Sequence, residues 1–367
     1  MSDYLPWRIM TLLTIIVVFS SCIQLFFWLV QLDGLYRSKD ATSLDLADGP
    51  PSVTLVIAIK NEVTNLKKNM SQWLDQDYPA LDVIIVNDHS RDDSLTFLKN
   101  ISNDRLLIVD LPEGKTSKKS ALTQGIALSK SEWIVTTDAD CQPESKGWIS
   151  TLMNQAKGAD VILGYSPHRY SNTWIGRWID YETWYIAIQY LSASLKGRPY
   201  MSVGRNVAFK KAQFDQVGGY ASHMHVRSGD DDLLVNELGQ KVGYNISLAK
   251  DSWVWTEGKS TWGEYFQQKR RHLSTASHYN FWNQVWLMAV YMSQLLWYVS
   301  VSAFMIWEPW FGILVLLRWL MLVLVAHRSK NKLDLNIPVL FVPLYDVAIC
   351  LFYGVMSFTM LQKKRDW

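Results

Sequence analysis

Apolar residues gather at the two ends of this chain, and between them short apolar runs alternate with helical patterns and polar turns. Residues 9–30, about 22 positions without a charge, are enough to cross a bilayer as a helix. A cleaved signal peptide is the competing reading. The stretch ends in Phe26-Phe27-Trp28 with no small-x-small site nearby, so it reads as an anchor. Tyr36, Arg37 and Lys39 then form a positive flank, which places the following domain in the cytoplasm. Toward the other end, residues 281–307 are uncharged and long enough to span. Glu308-Pro309 makes a tight break, and a shorter run over 310–326 contains Arg318. A basic loop, His327-Arg328-Ser329-Lys330-Asn331-Lys332, precedes a last run over 337–359 that contains Asp346. Lone charges at that depth are costly, so Arg318 and Asp346 are expected to pair across an antiparallel helix contact. The alternative is that one segment lies in the interface.

Four spans around a cytoplasmic domain would put both termini outside, whereas Lys363-Lys364-Arg365 favours the inside. A re-entrant or interfacial segment would reconcile the two, as would an exception to the charge rule.

The middle of the chain has a different rhythm. Residues 52–59 read as a buried strand rich in β-branched residues, followed by Lys60-Asn61-Glu62 and a helical pattern. Residues 82–86 form a second strand ending in Asn87-Asp88-His89-Ser90, and 106–109 a third. A helix is expected over 117–129, then a fourth strand over 133–137 that ends in Asp138-Ala139-Asp140. Such alternation implies βαβ units and a parallel sheet, whose ligands bind at the carboxyl ends of the strands. The acidic clusters fall there. The expected division is an anchor over 1–35, a linker over 36–50, an α/β domain over 51–275 and a membrane region with about three helical segments over 276–367.

Composition narrows the partners. The mean hydropathy of -0.01 hides the segregation of apolar ends from a polar middle. A net charge of +2 is too balanced for a nucleic-acid binder. Eighteen Trp and seventeen Tyr suit a chain with many rings at a membrane–water interface. Cys22, Cys141 and Cys350 form neither a disulfide framework nor a CxxC site, which suggests a reducing compartment.

Asp138 and Asp140 sit two apart at a strand end, so both carboxylates can face one ion. Oxygen ligands suit Mg2+ or Mn2+, which also bind substrate phosphates and would steady a departing diphosphate. Asp88 fits either an Asx turn or a contact with nucleoside or metal. Ser228-Gly229-Asp230-Asp231-Asp232 opens an apolar pattern. One Asp would cap a helix there, but three consecutive acids exceed that need. A carboxylate among other acids gains proton affinity, as a general base requires. Gln267-Gln268-Lys269-Arg270-Arg271-His272 either binds lipid headgroups or supplies Arg271 to a leaving diphosphate. Gly114-Lys115-Thr116 imitates a P-loop, but Val109 stands where that loop needs its first glycine.

In order, these residues resemble the family 2 inverting glycosyltransferases, and more narrowly their membrane-embedded members: cellulose, hyaluronan and chitin synthases and ceramide glucosyltransferases. Asp88 matches the family's first aspartate and Lys118 the lysine before its Ala-Leu helix start. Asp138-Ala139-Asp140 matches the DxD, and Gly229-Asp230-Asp231 with Leu234 the GDD element, whose last aspartate, here Asp231, is the base. Gln268 through His272 matches QxxRW except that His272 replaces Trp, a departure at the acceptor side. Gly204 and Arg205 belong to a segment that leads toward the acceptor, with Asp230 and His272 in the same region.

The resemblance implies a GT-A fold and a donor held by Lys60, Glu62, Asp88, Lys118, Asp138, Gln268 and Arg271. It also implies Mg2+ or Mn2+ on Asp138 and Asp140, and inversion at the sugar. The expected function is transfer from a nucleotide-sugar, UDP-linked by expectation, to a lipid or glycan at the cytoplasmic face of a bacterial cell membrane. Three rivals are a processive polysaccharide synthase, a nucleotidyltransferase and an inactive scaffold. A synthase would usually need a larger membrane bundle. A nucleotidyltransferase leaves Gly-Asp-Asp and Gln-x-x-Arg unexplained, and a scaffold would tolerate loss of the acids.

Overall fold

The computed structural model of the chain describes residues 4–37 and 49–362. Lys39, most of the expected linker and Lys363-Lys364-Arg365 lie outside the described residues. A long helix α1 (Tyr4–Arg37) leads into β1 (Val53–Ile59), α2 (Val63–Leu74), β2 (Leu81–Asn87), α3 (Ser94–Lys99), β3 (Leu106–Asp110), α4 (Lys118–Leu128) and β4 (Trp133–Thr136). Next come β5 (Gln142–Pro143), α5 (Trp148–Met153), β6 (Val161–Gly164), α6 (Trp174–Leu195), β7 (Val207–Lys210), α7 (Lys211–Gln216), α8 (Asp232–Leu238), β8 (Tyr244–Ser247), β9 (Val254–Trp255) and α9 (Trp262–Ala276). The last helices are α10 (Phe281–Trp307), α11 (Gly312–Ser329) and α12 (Val342–Gln362).

Seven strands form one sheet in the order β3-β2-β1-β4-β7-β6-β8. Parallel pairing joins β1 to β2 and β4, β2 to β3 and β6 to β8, while β7 runs antiparallel to β4 and β6. This is an α/β fold on a mainly parallel sheet, as expected from the sequence. Strand β1 reads as a continuous apolar run because both of its faces are covered. Leu55 and Ile57 meet Leu66 and Trp73 of α2 on one side. Val56 meets Leu122 and Ile126 of α4 on the other. A methyl on Gly125 of α4 would lie 2.6 Å from Val56, so that helix needs glycine to press onto the sheet.

Among the described residues, four helices are long and apolar enough to cross a membrane: Trp7–Gln31, Phe281–Trp307, Pro309–Ser329 and Val339–Ser357. Antiparallel contact joins α1 to α10. The Phe26 and Trp286 rings are 6.2 Å apart, Gln24 donates to the Ser293 hydroxyl at 2.8 Å, and Val17 packs with Val301. Helix α6 then crosses α1, with Trp184 stacked at 6.5 Å on Trp28. Arg318 and Asp346 do pair, at 2.8 Å. Gln24 of α1 and Gln294 and Tyr298 of α10 complete the set, so every polar atom of the pair faces another polar group. The loop between α11 and α12 lies against the α/β domain: Tyr165 donates to the Leu333 carbonyl at 2.7 Å, and Asp180 accepts the amides of Asn336 and Ile337.

Candidate active site

The carboxyl ends of β1, β2 and β4 each deliver a charged residue to one edge of the sheet. Beyond β1, Lys60 meets Asp88 at 3.2 Å, and Thr116 donates to the other Asp88 oxygen at 2.9 Å. The Asx turn considered for this strand end is made by Asn87, whose side chain accepts the Ser90 amide. Asp88 is thereby left to bind Lys60 and Thr116. Ser117 caps α4 by accepting the Ser120 amide, which puts Lys118 on the first turn.

From there Lys118 bridges two acids, 2.7 Å from Asp138 and 2.7 Å from Asp230. Burial favours the neutral lysine, but Asp138 and Asp230 outweigh it and hold the ammonium's pKa well up. Burial likewise pushes against ionisation of Asp138, yet Lys118 wins, with help from Arg205 and Arg271, and its pKa falls. One lysine thus stitches the DxD to the Gly-Asp-Asp loop.

That loop owes its course to Gly229, whose φ is +80°. A methyl there would come within 2.5 Å of Thr275 on α9, so a side chain is excluded by contact as well as by conformation. The three acids that follow have separate partners. Asp230 binds Lys118. Asp231 caps α8 through the Asp232 amide at 2.8 Å and takes the Gly204 amide at 2.5 Å on its other oxygen. Asp232 accepts from the Tyr279 hydroxyl at 2.8 Å. Capping is therefore real, and it coexists with a charged cluster. Burial and Asp230 push Asp231 up to about 6, against the pull of Lys118 and the two amides. Burial and Asp231 hold Asp232 well above the usual carboxylate range. Of this buried pair, Asp231 is the one whose carboxylate Lys118 stabilises.

A cavity of about 410 Å³ collects most of the expected residues. Lys118, Asp138, Asp140, Gly204, Arg205, Asp230, Asp231, Gln268, Arg271 and His272 all line it. Lys60, Glu62 and Asp88 stand outside that lining, along the same strand edge. Glu62 remains in electrical reach: burial raises its pKa, and Asp140 and Asp138 add to the effect. Arg205 is fixed from the far wall by Ser166, through its hydroxyl at 2.6 Å and its carbonyl at 2.9 Å.

Donor atoms of Asp138, Asp140 and Cys141 lie within 4.8 Å of one another. Cys141 is buried, and burial with the two nearby acids holds its thiol far from ionising; it donates to Asp140 at 3.2 Å instead of offering a thiolate. Two carboxylates and no thiolate fit a hard divalent cation that also takes phosphate oxygens.

Sequence reasoning missed one part of the wall. Glu182 of α6, 2 % exposed, meets Lys269 of α9 at 2.5 Å and accepts hydroxyls from Tyr265 of α9 and Tyr353 of α12. The available signal was a pair of acids, Asp180 and Glu182, inside an otherwise apolar helical run. His168 also lines the cavity, beside Thr183 at 2.9 Å, and was not singled out.

Residues 54–221 match the family model described as "Glycosyl transferase family 2". Over 233 residues the chain is 24% identical to "Probable glycosyltransferase YdaM" of Bacillus subtilis (strain 168), covering 60% of this chain and 54% of that protein. Over 241 residues it is 25% identical to poly-beta-1,6-N-acetyl-D-glucosamine synthase of Staphylococcus aureus (strain COL), covering 64% and 56% respectively. The chain spans about half the length of these curated relatives. In fold it is similar to a solved mannosyltransferase, PcManGT from Pyrobaculum calidifontis in complex with GDP-Man and Mn2+. The TM-score is 0.59 at 14% identity, over 94% of this chain and 99% of that one. The match to the family 2 glycosyltransferase model thus falls on residues 54–221, and the fold as a whole is GT-A-like.

Proposed function

We propose that this chain is a membrane-bound inverting glycosyltransferase. It moves a sugar from a nucleoside diphosphate sugar to a hydroxyl of a lipid or glycan acceptor at the cytoplasmic face of a bacterial cell membrane. The observation that carries this reading is that Asp138, Asp140, Lys118, Asp231 and Arg271 line one cavity although they come from distant parts of the chain. The names of the relatives and the GDP-Man and Mn2+ of the fold neighbour support the same class of donor.

Asp231 takes the proton of the acceptor hydroxyl. The freed oxygen attacks the anomeric carbon from the side opposite the diphosphate, the carbon–oxygen bond to the diphosphate breaks, and the configuration inverts. Lys118 and Arg271 steady the charge that grows on the departing nucleoside diphosphate. Asp138 and Asp140 would hold Mg2+ or Mn2+, which supplies Lewis-acid neutralisation of the same charge. Asp88 and Lys60, on the strand edge beyond the cavity, suit the nucleoside.

Asp231→Asn keeps the shape but removes the base, and its single amide oxygen can accept only one of the two backbone amides. It is expected to lower kcat by about 10²- to 10⁴-fold while donor affinity stays near that of the parent. Substantial turnover in the variant would reject the base assignment. Repeated addition to a growing chain is a second reading, favoured by the relative named as a poly-beta-1,6-N-acetyl-D-glucosamine synthase. Product length by mass spectrometry separates it from single transfer.

A further inference from the structure

We infer that α12 does not cross the bilayer. It is a re-entrant helix lying close to the membrane plane, and its outward face beds into the acyl chains of the leaflet next to the α/β domain. By length and apolarity the segment Val339–Ser357 passes for a span, so the inference rests on where its residues touch.

Helix α10 serves as a ruler of depth. It starts at the domain, where Asn280 and Asn283 bond to Asn236. It ends at the far turn, where Phe304 stacks on Phe311 at 4.5 Å. The chain enters α12 from the domain side, because Leu333, Asn336 and Ile337 are bonded to Tyr165 and Asp180. A crossing helix that begins there must touch α10 at ever higher numbers as it descends.

The contacts run the other way. Asp346 touches Gln294 and Tyr298, whereas the carbonyl of Cys350 takes the Tyr291 hydroxyl. A methyl on Gly354 would lie 2.9 Å from that same hydroxyl. From 346 to 354 the helix rises about 12 Å, and its contacts retreat toward the domain. One residue earlier in that turn, Tyr353 donates to Glu182 in the cavity wall. Tyr345 and Phe352, two turns apart, both pack on Trp178 of α6, at 6.3 and 5.2 Å between ring centres. A helix that touches one ring at both ends of two turns lies across it.

The opposite face of the segment carries Leu340, Phe341, Leu344, Leu351 and Val355, each more than half exposed. Its occupant is the acyl layer that also receives the exposed stripes of α1, α10 and α11. With three crossings instead of four, the described end of α12 lies on the domain's side, and the sequence that follows it contains Lys363-Lys364-Arg365. Positive residues favour that side when the domain is cytoplasmic.

The test compares sides. Cysteines are placed in the full chain at Lys99→Cys on α3, at Trp310→Cys in the turn between α10 and α11, and after Trp367 on a short flexible extension. A membrane-impermeant maleimide is added to intact and to permeabilised cells, with the parent chain as blank and denatured protein as the measure of full labelling. The appended cysteine is expected to follow Lys99→Cys in both conditions and to oppose Trp310→Cys. If it labels together with Trp310→Cys and opposite to Lys99→Cys, α12 crosses and the inference is overturned. The comparison needs no enzymatic activity, so its outcome is independent of the proposed reaction.

Discussion

Asp231 keeps a raised proton affinity although two backbone amides and a lysine pull the other way, because burial and Asp230 outweigh them. The consequence for rate has a definite sign. A base must be ionised to accept a proton, so activity is present above the group's pKa and is lost as pH falls through it. Because kcat/KM reports the free enzyme, it is expected to rise about tenfold per pH unit toward about 6 and to level off above it. A profile that stays flat well below that value would place the base elsewhere. Most residues of this site were legible as types: DxD, Gly-Asp-Asp and Gln-x-x-Arg each name their side chains. What the spacing did not contain was their pairing. That Lys118 binds Asp138 and Asp230 at once depends on α4 starting within reach of two loops about a hundred residues apart in sequence.

At the scale of elements, the alternation of apolar runs located β1 to β4 within one or two residues of where they lie. Strands β1, β2 and β4 are buried parallel strands with little polar face to blur the signal, whereas β3, at the sheet edge, is partly exposed and still reads as apolar. The turns between them needed tertiary knowledge. Gly229 is an instance: the chain bends left-handed there while α9 presses against it, and neither fact is written in Ser-Gly-Asp. Gly229→Ala is expected to cost about 1–3 kcal/mol from the backbone conformation, with more from the contact with Thr275. The midpoint of thermal unfolding in detergent should fall by several degrees. An unchanged midpoint would mean that the loop can shift away from α9 at little cost. Glu182 shows the opposite limit. Its role at the junction of α6, α9 and α12 was hidden because the helix that carries it reads as apolar packing.

Over the whole molecule, the long apolar helices and the α/β domain form one framework, since a single apolar cluster runs from α4 and α8 through α6 to α11 and α12. The polar pair that sequence reasoning foresaw, Arg318 with Asp346, is a sensitive point of these apolar helices. Arg318→Leu leaves Asp346 buried without its cation and is expected to cost about 3–5 kcal/mol, read as a loss of monodisperse protein after extraction. Combining Arg318→Leu with Asp346→Leu should restore most of the yield, because two apolar side chains leave no orphan charge. A double variant as poor as the single one would mean that Gln294, Tyr298 and Gln24 depend on the pair as much as it depends on them. The charges themselves were legible, but the partner from α1 was not, for nothing in a helix sequence says which neighbour it will touch.

The claim on which the rest depends is that Asp138 and Asp140 hold a divalent cation against a nucleoside diphosphate sugar inside this cavity. It is tested most directly by release of nucleoside diphosphate from a panel of nucleotide-sugars, with Mn2+ or Mg2+ and a native lipid extract. At least one donor should be consumed by the parent protein, consumption should stop on chelation and resume when metal is restored, and Asp140→Ala should show neither turnover nor metal-dependent donor binding. Undiminished release after chelation, or from Asp140→Ala, would contradict it.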